Sequence, residues 1–319
     1  MKKARLGRTG IAVTEYCFGT LPMGPLQKNV SVADCTAMIV RALGAGVNFI
    51  DTAQLYRTYP AIRAALDATG AHPVIATKSV AKDYAGMQAA VDEARAALGV
   101  NCLDIVHLHA ARATAAVFAE RAGALQCLKD NRAQGAVRAV GISSHAVPVI
   151  AAAAAHPDID VVFPLYNCTG LGILDGTLPE MRAAIDACVA ADKGVYLMKA
   201  LGGGRLIDRY REAVDFCRAV PGVASVAIGT VAMPELEFNL AWFNGTLPAD
   251  AAFPALAAWR KQFSVVEFLC NNCGTCRRAC PSRAISELAE KQKAFIDQDK
   301  CVQCGYCVPA CPMFAIRVI

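Results

Sequence analysis

Two stretches decide how the sequence is interpreted: CNNCGTCRRACP at residues 270–281 and CVQCGYCVPACP at residues 301–312. Both have the spacing C-x2-C-x2-C-x3-C-P, which is typical of ligands to [4Fe-4S] clusters. Three thiolates at this spacing wrap around one cluster, and the fourth, followed by proline, reaches the other. The spacing therefore predicts two clusters with crossed ligand sets: Cys270, Cys273, Cys276 and Cys311 for the first, and Cys301, Cys304, Cys307 and Cys280 for the second.

Glycine lies inside each cysteine loop, at Gly274 and Gly305. A residue without Cβ lets the backbone curl close to a cluster and direct N–H groups at its sulfur atoms. Zinc is a weaker interpretation because its sites usually take four ligands in two pairs. A disulfide framework needs an oxidising compartment, for which the sequence offers no argument. So short a segment has little core of its own, and the clusters should stabilise it.

Length and composition set limits on the rest of the 319-residue chain. Roughly 260 residues precede the cysteine segment, close to the size of a (β/α)8 barrel. The net charge of +5 is modest and not clustered, which argues against a nucleic-acid partner. The longest apolar run, Ala146 to Ala155, is too short to span a membrane. Without an apolar signal segment behind the basic N-terminus, we expect a cytoplasmic protein.

Seven further cysteines are scattered singly and are predicted to be small buried residues of a reduced compartment. They are Cys17, Cys35, Cys102, Cys127, Cys168, Cys188 and Cys217.

Hydrophobic patterning after a hairpin at Arg5 to Val13 alternates between short apolar strands and amphipathic helices. The predicted strands are Tyr16 to Thr20, Val47 to Ile50, Val74 to Thr77, Leu103 to Leu108, Val137 to Ile142, Val161 to Leu165, Val195 to Met198 and Ser225 to Ile228. The predicted helices are Ser31 to Leu43, Ala61 to Leu66, Tyr84 to Leu98, Thr114 to Asn131, Val147 to Ala155, Leu178 to Ala191, Ile207 to Cys217, Pro234 to Phe243 and Ala255 to Gln262. Eight strand–helix units predict an α/β fold, a TIM barrel at residues 1–263, followed by a small ferredoxin-like domain at residues 264–319.

Polar residues follow three successive strands: Asp51, then Tyr56 in the loop behind it, Lys78 and His109. The carboxyl ends of barrel strands share one face, so these side chains should converge. They suggest proton donation to a carbonyl, with the Lys78 ammonium lowering the pKa of Tyr56 and Asp51 holding the lysine. The residues alone leave Tyr59 open as an alternative phenol and His107 as an alternative imidazole.

At these residues the chain resembles the aldo-keto reductases, in the branch that carries C-terminal ferredoxin-type cysteines. The resemblance covers most of residues 1–245 and rests on the segments LGRTG at 6–10, FGT at 18–20, GVNFIDTAQLY at 46–56, ATK at 76–78, DIVHLH at 104–109, GIS at 141–143 and LEFNL at 236–240. It implies reduction of a carbonyl by hydride from a nicotinamide cofactor, with Tyr56 as general acid. It also implies that His109, not His107, takes the catalytic position.

The cofactor positions that the resemblance implies match less well. Ser143, Ser144 and Phe163 stand where the family has a Ser-Asn pair and a glutamine for the carboxamide, and Met198 stands at the ring-stacking position. Around Gly229, Thr230 and Asn239 the usual contacts to a 2'-phosphate are largely absent, and an acid replaces a common arginine. These departures favour NADH over NADPH. Gly202 and Gly203 are further candidates, for a pyrophosphate.

Three functions remain open from the sequence. The first is an NAD(P)H-dependent reductase of a small carbonyl compound. In the second, a ferredoxin or another redox protein feeds single electrons through the clusters to a substrate at Tyr56 and His109, without nicotinamide. This hypothesis requires a cluster close to the barrel mouth. The third is a non-enzymatic electron-transfer or sensor subunit.

Overall fold

The computed structural model describes residues 1–254, 262–313 and 315–318. Two antiparallel strands, β1 (Lys3–Arg5) and β2 (Ala12–Thr14), precede a closed barrel of eight parallel strands. The barrel strands are β3 (Tyr16–Gly19), β4 (Phe49–Asp51), β5 (Val74–Ser79), β6 (Leu103–His109), β7 (Val137–Ser144), β8 (Val161–Pro164), β9 (Gly194–Leu197) and β10 (Ser225–Gly229). Pairing of β10 with β3 closes the barrel, as the alternating pattern predicts.

Helices surround the barrel and pack on its outer face. They are α1 (Val32–Gly44), α2 (Tyr59–Thr69), α3 (Tyr84–Leu98), α4 (Val117–Glu120), α5 (Ala122–Ala133), α6 (Val147–Ala155), α7 (Leu178–Ala190), α8 (Tyr210–Arg218) and α9 (Met233–Asn244). Side-chain oxygens of Ser31, Asp83 and Thr177 accept from backbone N–H groups at the starts of α1, α3 and α7. These bonds satisfy donors that have no partner within the helix.

Two apolar clusters make up most of the barrel's core. The larger lies between the helices and the strands, as expected for strands that are buried on both faces. The smaller fills the barrel interior with residues such as Phe49, Phe163 and Tyr196, and it includes Leu6 and Ile11 of the N-terminal segment. The N-terminal hairpin therefore closes one end of the barrel. Of the seven scattered cysteines, five are buried, and Cys102 and Cys168 are half-buried.

Two predicted helices differ from the structure. The single helix predicted from Thr114 to Asn131 is divided at Arg121 into α4 and α5, and the Arg121 guanidinium donates to the carbonyl oxygen of His109. The helix predicted from Ile207 begins at Tyr210, after a short 3-10 turn at Ile207–Arg209. The helix predicted at Ala255 to Gln262 lies outside the described residues except for its last position.

The cysteine segment forms a small module with two antiparallel strand pairs and two short helices. Strand β11 (Phe263–Val265) pairs with β14 (Ile316–Val318), and β12 (Ile285–Leu288) pairs with β13 (Lys293–Ile296). The helices are α10 (Thr275–Ala279) and α11 (Cys307–Ala310). No helix in the described part of the chain combines the length and the apolar character that crossing a bilayer requires.

The module covers the barrel end at which the strands have their carboxyl termini. Arg112, after β6, donates to the carbonyl oxygen of Arg277, and Arg283 forms an ion pair with Asp175. The backbone fits closely at Gly305, where a Cβ would lie 1.9 Å from the carbonyl oxygen of Leu26. Loops of the barrel therefore hold the module directly over the face at which the polar strand-end residues converge.

Candidate active site

A buried ion pair lies at the centre of the converging strand ends. The Lys78 ammonium donates to the Asp51 carboxylate at 2.7 Å and to the carbonyl oxygen of Thr52 at 2.6 Å. The same nitrogen lies 4.9 Å from the ring centroid of Tyr56. Both charged side chains are almost fully buried, so each depends on the other for compensation of its charge.

The histidine at the end of β6 completes the cluster with an unexpected neighbour. The rings of His109 and Tyr56 are 6.2 Å apart in an edge-to-face arrangement. Nε2 of His109 is hydrogen-bonded to the hydroxyl of Tyr306 at 3.1 Å, and the Tyr306 and Tyr56 hydroxyls also interact. Tyr306 stands between Cys304 and Cys307, so the module inserts a phenol among the strand-end residues.

The two alternatives left open by the sequence lie elsewhere. His107 lies deeper in the barrel, where Nε2 is hydrogen-bonded to the Tyr196 hydroxyl at 2.8 Å. That hydroxyl also donates to Asp51, and the Tyr196 ring stacks on Phe163 with 3.9 Å between centroids. Tyr59 is on α2 and bonds Thr77. Tyr56 and His109, and not these two residues, lie at the barrel mouth.

Burial dominates the electrostatics of the site. It raises the pKa of Tyr56 well above the usual value of a phenol, and the neighbouring Tyr306 and Asp51 act in the same direction. The expectation that Lys78 lowers the pKa of Tyr56 is therefore wrong, because burial outweighs the ammonium, which is bonded to Asp51 and Thr52. Burial also lowers the pKa of His109 well below the usual range, so its imidazole is neutral near pH 7. Tyr56 is thus a protonated donor.

The remaining cavity between these groups is small, about 20 Å³, which is room for roughly one water molecule. Its wall contains Tyr56, Lys78, His109, Ser143, His145, Met198, Lys199, Cys304 and Tyr306, with Leu21 and Ala111. The Ser143 hydroxyl and Nδ1 of His145 are buried without a hydrogen-bond partner. Cys304 of the cysteine module and the strand-end residues therefore share one cavity wall.

The eight module cysteines are grouped into two sets of four. Cys270, Cys273, Cys276 and Cys311 surround one cavity. Cys307 interacts electrostatically with Cys280, Cys301 and Cys304, which form the second set. These are the crossed sets that the spacing predicts. In the described residues, no three His, Cys, Asp or Glu side chains are close enough together to hold a single metal ion.

The donor chemistry of both sets fits iron–sulfur clusters. Gly274 and Gly305 have positive φ angles of 74° and 81°, so the loops curl as the spacing requires. Backbone N–H groups point at the sulfurs: Ala315 donates to Cys311 at 3.3 Å, and Ala284 donates to Cys280 at 3.3 Å. Cys273 is exposed, whereas Cys304 is buried. The first set therefore lies at the surface and the second faces the barrel.

Four residues of this site are not among those predicted from the sequence: Tyr306, Lys199, His145 and Tyr196. Tyr306 carried a readable signal, since an aromatic residue between two ligand cysteines must lie close to whatever the loop touches. The other three could not be recognised before the strand ends and the module were placed together.

The barrel and the cysteine module each match a known family of protein domains. Residues 15–237 match the aldo/keto reductase family, and residues 264–312 match the 4Fe-4S dicluster domain. The chain belongs to the aldo/keto reductase family. It is an oxidoreductase of this family with an added iron–sulfur domain.

Two curated relatives have low sequence identity to this chain. Pyridoxal 4-dehydrogenase of Microbacterium luteolum is 22% identical over 325 aligned residues, which cover 78% of this chain and 95% of the relative. A 6-dehydroglucose reductase of Novosphingobium aromaticivorans is 27% identical over 169 residues, 46% of this chain and 53% of the relative. Both names describe oxidation or reduction.

Solved structures support the fold. A Pseudomonas aeruginosa protein, named as an aldo-keto reductase, has a TM-score of 0.65 at 23% identity, covering 77% of this chain and 96% of that one. The holo form of an aldo-keto reductase from Bacillus halodurans has a TM-score of 0.64 at 20% identity, covering 78% and 92%.

Aldo/keto reductases generally use NAD(P)H, but the positions assigned to it in this chain are occupied by other contacts. A Cβ on Gly203 would lie 2.1 Å from the carbonyl oxygen of Val302, so the triple-glycine loop packs against the module. Gly229 is packed against Pro22 in the same way. Asn239 bonds Thr230 and Tyr210, both within the barrel.

The carboxamide and ring-stacking positions are similarly filled. Ser144 bonds the carbonyl oxygen of Ala110, and Phe163 lies under Lys78, stacked on Tyr196. Met198 and Ser143 do face the cavity, but its volume is far below that of a nicotinamide ring. Glu235, the acid at the position where the family commonly has arginine, accepts from the N–H of Val231. In this arrangement the residues do not fit a bound nicotinamide.

Proposed function

We propose that this oxidoreductase reduces a small carbonyl compound with electrons delivered through two [4Fe-4S] clusters, held by the two cysteine sets, instead of hydride from a nicotinamide. One observation carries the proposal: Cys304 lines the same cavity as Tyr56, Lys78 and His109. A cluster ligand at the wall of the reaction cavity supports short electron transfer into a bound substrate.

The proposed reaction balances with two electrons and two protons for each carbonyl converted to an alcohol. When bound, the clusters would supply the electrons one at a time, drawn from an external low-potential donor such as a ferredoxin. Such a donor would approach the first cysteine set, because Cys273 is exposed there. The protons come from this chain's own groups and from water.

Tyr56 is the proposed proton donor to the carbonyl oxygen. Its high pKa keeps the hydroxyl protonated until negative charge develops on the substrate oxygen. The neutral imidazole of His109 and the hydroxyl of Tyr306 provide further hydrogen-bonding atoms at the same place. The Lys78 ammonium, held by Asp51, stabilises negative charge on that oxygen and on the phenolate left behind.

The hydride mechanism is the second candidate. The unpartnered Ser143 hydroxyl favours it, since this position contacts the carboxamide in related enzymes. If a nicotinamide binds, the acid at Glu235 favours NADH over NADPH. A carrier or sensor without substrate chemistry is the third candidate, and the small cavity supports it.

An anaerobic titration separates these mechanisms. The protein, loaded with clusters, is titrated with NADH, with NADPH and with a reduced low-potential donor, while nucleotide fluorescence and cluster absorbance are followed together. We expect neither nucleotide to bind and only the low-potential donor to bleach the clusters. Binding of either nucleotide would overturn the proposal in favour of hydride transfer.

Replacement of Tyr56 by phenylalanine tests the enzyme against the carrier. We expect Tyr56→Phe to lower carbonyl turnover by about 10²- to 10⁴-fold, as loss of a general acid does, while cluster reduction by the donor continues at the wild-type rate. The matched control is Tyr59→Phe, which removes a phenol hydroxyl outside the cavity and should leave turnover close to wild type. Unchanged turnover in Tyr56→Phe would exclude Tyr56 as the acid.

A further inference from the structure

Lys199 is a cation with no counterpart in the mechanism described so far. It follows β9 at the barrel mouth and lines the cavity together with Cys304. In the part of the chain that the structure describes, no carboxylate forms an ion pair with it, unlike Lys78, which is paired with Asp51. A half-buried lysine at the wall of a cavity, without an acidic partner, needs another source of negative charge.

The backbone conformation of Lys199 is also unusual. Its φ angle is +63°, in the left-handed region that lysine seldom adopts. Its carbonyl oxygen accepts from the N–H of Gly202, which closes the turn leading into the glycine loop under Val302. The chain therefore keeps a strained residue at the place where the barrel touches the second cysteine loop.

The negative charge is available from the second cysteine set. Burial has the largest effect on Lys199 and lowers the pKa of its ammonium, whereas the neighbouring Cys304 and Cys301 favour the charged form and Lys78 opposes it. In turn, Lys199 is the cation that acts most strongly on Cys304. Both thiols are buried, so little solvent lies between them and the ammonium to screen the interaction.

The first cysteine set has a different environment. Cys273 is exposed, and the nearby Lys293 ammonium donates to the carbonyl oxygen of Cys270 at 2.6 Å. Water contributes to the solvation of charge there. At the second set burial disfavours each added electron, and a fixed cation is the means by which the protein can offset that penalty.

We propose that Lys199 is a positioning residue for electron transfer: its ammonium raises the reduction potential of the cluster at the second cysteine set, so that electrons pass from the exposed set toward the cavity. The inference rests on the proposed ligation of clusters by the two cysteine sets. The role of Lys199 adds a direction of electron transfer to the proposed function, and one side chain sets that direction.

Potentiometric titrations followed by electron paramagnetic resonance test this inference. The variant Lys199→Asn removes the charge and retains a residue that tolerates the left-handed conformation. At a fixed potential near the midpoint, we expect the ratio of reduced to oxidised second cluster to fall by at least about tenfold, roughly 59 mV for a one-electron couple. Lys199→Arg keeps the charge and should restore the wild-type midpoint.

Lys293→Gln is the matched control, because it removes a cation beside the first set only. It should shift the midpoint potential of the cluster at the first set, and this shift assigns the two paramagnetic resonance signals to their clusters. Iron and sulfide contents and the thermal unfolding midpoint are measured for every variant. Full loading with both midpoints unchanged in Lys199→Asn would overturn the role of Lys199 and leave the clusters in place. Failure of the wild-type chain to bind clusters would overturn the proposed function itself.

Discussion

At the scale of single residues, Tyr306 determines what the cavity can accept. Its hydroxyl binds His109 and interacts with Tyr56, the two groups that would contact a carbonyl oxygen. With about 20 Å³ left between them, we expect a substrate to enter only when the Tyr306 side chain moves aside. Because Tyr306 stands between two ligand positions, that movement would involve the second cysteine loop. Access to the barrel would then depend on the state of the module.

The buried histidines should make stability depend on pH. Burial and the neighbouring Lys199 lower the pKa of His145 to about 3, from an ordinary value near 6.5. Below about pH 6.5 the imidazole of His145 binds a proton in the unfolded chain, whereas in the folded chain it does so only near pH 3. The free energy of unfolding should thus fall by roughly 1.4 kcal/mol per pH unit from this residue as the pH is lowered through that window.

Anaerobic urea unfolding between about pH 5 and pH 8, compared for wild type and His145→Gln, measures this contribution. Below about pH 6.5, the unfolding free energy of the variant should change less steeply with pH than that of the wild type, by the contribution of one proton. Above that pH the two slopes should be equal. Equal slopes at all pH values would mean that His145 titrates normally in the folded protein.

Part of this site could be predicted from the sequence. Asp51, Lys78 and His109 are predictable because they lie at strand ends, with Tyr56 in the loop behind Asp51, and barrel strands end on one face. The sequence predicts the wrong direction for the pKa shift of Tyr56. Burial of Tyr56 under Tyr306 raises this pKa, and that burial depends on how the module docks. Lys199 and His145 gave no local signal, since an isolated charged residue after a strand is ordinarily solvated.

At the scale of elements, one glycine that a nucleotide-binding interpretation assigns to a phosphate, and one glycine of a cluster loop, join the barrel to the module. Gly203 and Gly305 place backbone against backbone at the junction, on loops after β9 and in the second cysteine motif. The sequence pattern places the loop of Gly203 after a barrel strand, and so at the barrel mouth. It could not distinguish a glycine that admits a pyrophosphate from one that admits Val302, because both uses need the same missing Cβ.

Substitution of Gly203 should weaken the junction. In Gly203→Ala the new Cβ meets the Val302 carbonyl oxygen at 2.1 Å, a backbone atom that cannot rotate away. We expect a loss of about 1–3 kcal/mol in module docking, the usual cost of overpacking. Faster hydrogen exchange in residues 201–206 and 301–305 would report it.

Gly204→Ala is the control for backbone strain. Its φ of +106° is at least as unfavourable for alanine, but its Cβ would have 3.7 Å to the nearest atom. Exchange near the module should therefore change less than in Gly203→Ala. Equal effects of the two substitutions would show that strain in the loop, and not contact with Val302, causes the loss.

At the scale of the whole molecule, a complete barrel and a small module differ in what holds them together. The barrel has a continuous apolar core between its sheet and helices. Five of the twelve buried residues in the module core are cysteines, and the others are three alanines with Phe263, Ile285, Ile296 and Ile316. A segment of this size lacks the apolar area to fold unaided, so bound clusters should contribute most of its stability.

Removal of iron should consequently separate the two parts. After oxidation and chelation of the clusters, we expect amide protection to fall across residues 263–313 and in the loops that touch Leu26, Tyr56 and Gly203, while strands β3 to β10 keep theirs. The physical reason is that the strand hydrogen bonds and the outer apolar layer do not involve the eight module cysteines. Hydrogen exchange measured by mass spectrometry on the holo and iron-free chains gives this comparison peptide by peptide, and reconstitution with iron and sulfide should restore the original pattern. Equal loss of protection throughout the barrel would mean that module and barrel fold as one unit. The structure of the barrel mouth would then depend on the bound clusters.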